Sequence, residues 1–166
     1  MSEIAEYIAR KRHKLFLSAC AARDIYWETK NDMVKDATTD NRMTWNFLGV
    51  RVRAMSGWIQ IAWIKREFYT SKKKGKHGFW KHVSGMTKKN QRVPTGSIGR
   101  SSAEVKNLFN EYEDRFSKIR KEQEGLKAFY KSAVKYAKEH DSEMLSSLEA
   151  IKDWQPEDPG KRELEW

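Results

Sequence analysis

The chain has 166 residues, a hydrophobic fraction of 39% and a formal net charge of +10. That is about one domain's length, and seven Trp, seven Phe and six Tyr exclude the aromatic-poor composition of a disordered chain. The single Cys20 rules out an internal disulfide. The apolar run around it, LFLSACAA, is too short to cross a bilayer and too charged upstream for a processed signal, so a cytoplasmic protein is expected.

Ser2 is placed to cap a first helix, with Glu3 and Glu6 in its first turn near the positive end of the helix dipole. Ile8, Leu15, Ala19, Ala22, Tyr26 and Met33 recur at spacings that sum from three and four, which predicts a helix over about 2–36 with this stripe toward a core. Cys20 beside the stripe reads as a small buried hydrophobe rather than a nucleophile. The segment ATTDNR ends the helix.

From Met43 the period changes to two, and β-branched and aromatic residues dominate MTWNFLGVRVRAMSGWIQIAWIKREFY. A two-residue turn at Ser56-Gly57 pairs Ala54 with Ile59, Val52 with Ile61 and Val50 with Trp63 on one face. The opposite face then starts with Arg53 against Gln60 and Arg51 against Ala62. The second strand is expected to reach about Tyr69, where TSKKKGKHG makes a basic hairpin tip. FWKHV then resumes the strand pattern, with Trp80 and His82 on one side. A second basic loop, GMTKKNQR, precedes VPTGSIG, where Pro94 argues for an edge strand or an irregular connector. The β region as a whole spans about 43–98.

Ser101 and Glu104 have capping-box spacing, and Val105, Leu108, Phe109, Tyr112, Phe116 and Ile119 make the stripe that follows. Leu126, Phe129, Tyr130, Ala133 and Ala137 keep its phase, so one helix is expected over about 102–139, with Gly125 a weak point. Glu111, Glu113, Asp114, Arg115 and Lys118 read as solvated helix faces. A shorter helix follows over 142–153, and 155–166 is expected to be a mobile tail. The sequence predicts one α+β domain over 1–154, a small antiparallel sheet with long hairpins flanked by long N-terminal and C-terminal helices.

The charge is concentrated. Residues 65–92 carry ten basic side chains against Glu67 alone, whereas 93–166 carry thirteen basic and fifteen acidic ones. Such asymmetry attracts a polyanion. A membrane-surface protein places its charge on an amphipathic helix, whereas here it lies on hairpin loops, so no membrane partner is expected. The scattered histidines lack metal-ligand spacing, and no phosphate-binding, dinucleotide or nucleophile motif occurs, so no cofactor, no metal and no catalysis are expected. Nor is there the histidine cluster with which a DNA-nicking relaxase holds its metal.

Hairpin tips can enter a groove of duplex DNA, with lysines on phosphates and arginines on base edges. The candidate DNA-binding residues are Arg51, Arg53, Lys65, Arg66, Lys72, Lys73, Lys74, Lys76, His77, Trp80, Lys81, Lys88, Lys89, Arg92 and Arg100. A basic protein-interaction scaffold or inhibitor and an RNA-binding module stay open as alternatives, and residual apolar stripes on the long helices leave a homodimer open.

The order of parts, a long helix, then TWNFLGVRVRAMSGWIQIAWIKREFY, a basic hairpin, and TGSIGRSSAEVKNLFNEYEDRFSKIRKEQEGLKAFY, resembles the MobI-type conjugative transfer proteins over roughly residues 42–138. The resemblance rests on overall pattern and carries no individual contact residue. It implies a non-enzymatic factor that recognises the origin of transfer of a conjugative element and helps a separate relaxase to act there.

Overall fold

The computed structural model of the protein describes residues 1–36, 47–73 and 75–160, without the side chains of 68–71, 76 and 77. Helix α1 spans Glu3–Asp36, and Ser2 caps it by accepting from Ala5 N at 3.3 Å. Its inward stripe holds Ile8, Leu15, Ala19, Ala22 and Tyr26 as expected, but also Arg12, Arg23 and Lys30. Met33 corrects the expectation: it is 41% exposed, and the core-facing position of the last turns belongs to Lys30. Cys20 is fully buried, and burial pushes its thiol up to about 12.

Three antiparallel strands follow in the order β1-β2-β3, at Leu48–Met55, Trp58–Ser71 and Gly75–His82. The expected strand start at 43 lies outside the described residues. The β1–β2 register is the expected one, Ala54 opposite Ile59, Val52 opposite Ile61 and Val50 opposite Trp63. Ser56 and Gly57 both have positive φ, 52° and 75°, the two-residue turn that matches the twist of the strands. A Cβ on Gly57 would stand 1.9 Å from Lys152 O, so a glycine is required there on two counts.

After Val83, whose N donates to Trp63 O at 2.9 Å, the ladder stops. The second loop is closed by a single bridge between Thr87 and Arg92, and Pro94 opens a short 3-10 helix, Thr95–Ile98, rather than an edge strand. Proline has no N–H to give a ladder.

Helix α2, Ala103–His140, runs without a break through Gly125, and α3 is Ser142–Ala150. The cap of α2 is Ser102 rather than Ser101, accepting from Val105 N, and Asp141 caps α3. The core lies between α1, α2 and one face of the sheet. At its centre Trp63 is 0% exposed, ringed by Tyr26 at 5.1 Å, Phe109 at 4.7 Å and Phe116 at 5.7 Å between centroids.

Glu113 also corrects the sequence reading. It is fully buried, not solvated, because its carboxyl group accepts from Trp63 Nε1, Val93 N and Arg120. Phe129 likewise turns outward, 43% exposed. Beyond α3, Trp154 packs on Phe16, and Arg23 grips Asp158 with two hydrogen bonds of 2.5 and 2.8 Å and Gly160 O at 2.9 Å. Nothing in the sequence from 155 onward points to these contacts; residues 161–166 lie outside the description.

Candidate nucleic-acid interface

Alternation along the strands divides the sheet into unlike faces. Leu48, Val50, Val52, Ile59, Ile61 and Trp63 point into the core. The opposite face carries Arg51 and Arg53 on β1, Gln60 and Arg66 on β2, and Trp80 and His82 on β3, around a buried centre of Gly49, Ala62 and Ile64. The centre is tight: a Cβ on Gly49 would meet the Trp27 ring at 2.6 Å.

Among the described residues no strand position on this outer face holds a carboxylate. Arg53 is exposed and bonds Gln60 across the strands. Arg51 is half-buried; burial, with Arg53 nearby, pushes its guanidinium below the usual range, and its buried Nε has no acceptor. Arg66 lies 5.9 Å from the Trp80 ring centroid, in cation–π range. This face gathers three arginines with no carboxylate on its described strand positions, and an anion laid across it would be stabilised.

Past Lys65, which pairs with the first residue of β1, β2 and β3 continue together as a two-stranded arm, Glu67 with Phe79 through Ser71 with Gly75. At about 3.3 Å per residue the arm is roughly 16 Å long, and among the described elements β2 is the only substantial neighbour of β3. Lys72 and Lys73 stand exposed at its tip. Lys74 lies outside the described residues; Lys76 and His77 are placed on β3 by backbone pairing alone.

The other candidates separate. Lys65 points to the core side and donates to Ile98 O at 3.0 Å, and Lys81, on that side too, stands 3.6 Å from Glu67. Lys88 and Lys89 are exposed on the second loop, Arg92 at its end pairs with Asp114, and Arg100 is exposed just before α2. The candidates therefore form an arginine face, an arm tip and a second loop. His82 and Gln60 belong to the face although the candidate set omitted them; His82 follows Trp80 by two residues, the signal that would have found it. Glu113 and Arg120, which hold the second loop, carried no such signal.

Among the described residues no group of three His, Cys, Asp or Glu side chains could hold a metal ion, and no helix is long and apolar enough to cross a membrane. No curated protein and no solved structure matches the chain. Its sequence does match the MobI protein family over residues 15–134, a span that includes most of α1, the whole sheet, the second loop and most of α2. The chain belongs to the MobI family, accessory proteins of mobilisation.

Proposed function

We propose that the protein binds double-stranded DNA at the origin of transfer of a conjugative element, in the cytoplasm, and assists a separate relaxase there without catalysing a reaction itself. One observation carries the reading: an outer sheet face with three arginines and no carboxylate among the described residues, continuous with a two-stranded arm tipped by lysines. A two-stranded ribbon fits the major groove of B-DNA, about 12 Å wide. The deep, narrow major groove of an A-form RNA helix would exclude it, which favours DNA over structured RNA.

The contacts divide by chemistry. Lysines on the tip and the second loop neutralise phosphates, and Arg51, Arg53 and Arg66 are the side chains able to make paired hydrogen bonds to base edges. The test is the salt dependence of binding to a duplex carrying the origin of transfer. Lys72, Lys73, Lys88 and Lys89 together predict that log affinity falls with log salt at a slope of roughly minus three and a half, at about 0.9 per phosphate neutralised. A slope near zero, or stronger competition from structured RNA than from duplex DNA, overturns the reading.

A further inference from the structure

Two buried side chains of α2 control where the second basic loop sits. Glu113 Oε1 accepts from Val93 N at 2.7 Å and from Arg120 at 2.6 Å, while its Oε2 accepts from Trp63 Nε1 at 2.6 Å. Arg120 in turn donates to Gln91 O at 3.1 Å and to Ile61 O at 3.2 Å. The two side chains thus join three separate pieces of chain, α2, β2 and the end of the loop. Both are buried, at 0% and 5% exposure.

The loop is also stiff within itself. Thr87 N donates to Arg92 O at 2.9 Å, Gln91 Nε2 donates to Lys88 O at 3.0 Å, and Gln91 adopts a positive φ of 51°. Lys88, Lys89 and Asn90 project from this closed frame, all exposed. Burying an ion pair is costly, and apolar side chains of like volume would fill such a site with equal or better stability. What apolar residues could not do is accept from Val93 N and donate to Gln91 O, which orients the loop.

We propose that Glu113 and Arg120 are positioning residues for DNA binding: they fix the loop Thr87–Arg92 so that Lys88 and Lys89 reach the same duplex as the arm. The inference rests on the reading of the sheet as a duplex-binding surface. From Gly75 at the arm tip to Val83 before the loop, the chain covers roughly 26 Å of extended strand. That corresponds to about eight base pairs at 3.4 Å each, so two lysine groups at a fixed separation would address phosphates on one continuous duplex.

The experiment compares salt slopes on one origin-of-transfer duplex for the intact protein, Lys88→Ala/Lys89→Ala, Glu113→Gln, and the three substitutions combined. Removing the two lysines should make the slope shallower by about two. Glu113→Gln should produce the same loss, and the combined variant should lose no more than Glu113→Gln alone, because lysines on a released loop no longer contribute. Arg120→Lys, which keeps the charge but loses the forked reach to Gln91 O and Ile61 O, is read the same way and decides the matter if Glu113→Gln does not fold. Glu113→Asp should recover part of the slope. A full slope in the folded positioning variants, or two further units lost on removing the lysines from them, overturns the proposal. So does an unchanged slope in Lys88→Ala/Lys89→Ala while the intact protein keeps its steep one. A flat slope in the intact protein would instead refute duplex binding, and the positioning role with it.

Discussion

Lys30 sits on the core-facing stripe of α1 with 0% of its surface exposed, its ammonium 4.3 Å from the Trp27 ring centroid, and burial holds it down to about 7. Arg12 is buried about five turns earlier, between Trp58 and Trp154, donating to Gly57 O at 2.7 Å and Ile151 O at 2.6 Å. A prediction follows for stability against pH. Between about 7 and 9 the unfolded chain keeps a proton on Lys30 that the folded chain releases, so unfolding free energy should rise with pH, by at most about 1.4 kcal/mol per unit. Above 9 the trend should bend over, because Cys20 stays protonated in the fold up to about 12 and so loses stability as the unfolded thiol ionises. Denaturant melts across pH 6–10 check this; Lys30→Met should flatten the rising limb, and an unchanged limb would assign the rise elsewhere. These residues also mark where the sequence was opaque. The three-and-four spacing runs through Arg12, Arg23 and Lys30 as regularly as through Ile8 and Tyr26, but a charged residue on a stripe reads as solvated until the backbone carbonyls or carboxylates that receive it are known.

The β1–β2 hairpin is the element the sequence determined best. Its apolar residues alternate, and slipping the register by one would have set arginines against isoleucines; the turn dipeptide then left one solution, and Arg51 and Arg53 went to the outer face as expected. The outer edge of β2 was not legible. There the Gln123 side chain behaves like a piece of neighbouring strand, accepting from Ile59 N at 2.7 Å and donating to Ile59 O at 2.8 Å, so the sheet is closed off by a helix. No local pattern reports a pairing between residues 64 positions apart. At this scale the face and the tip should be separable. Lys72→Ala/Lys73→Ala should weaken binding to cognate and scrambled duplexes about equally, since phosphates carry no sequence information. Replacing Arg51 and Arg53 should cost about 1–3 kcal/mol each on the cognate site and little on scrambled DNA. Paired titrations at one salt concentration measure both, and the opposite pattern would make the arm tip the reading head.

Across the whole molecule, the helix–sheet–helix order and the location of the charge could be read directly, because each depends on periodicity or on counting. The connections could not. Where the 83–98 segment turns, and how 155–160 returns to Arg23, depend on a few hydrogen bonds between distant residues. Arg12 is the extreme case, joining the first helix to the hairpin turn and to Ile151, 45 and 139 residues away. This has a consequence for how the protein is made on the ribosome. Until the last helix has left the exit tunnel, the guanidinium of Arg12 has only one of its two carbonyl acceptors and none of the Trp154 ring over it, so α1 cannot complete its burial. The basic arm would therefore be synthesised long before the frame that carries it can close. A chain ended after His140 should melt well below the intact protein, or fail to fold, in thermal scans, whereas one ended after Gly160 should melt like it. Near-equal melting of the two shortened chains would mean that the fold closes without Ile151.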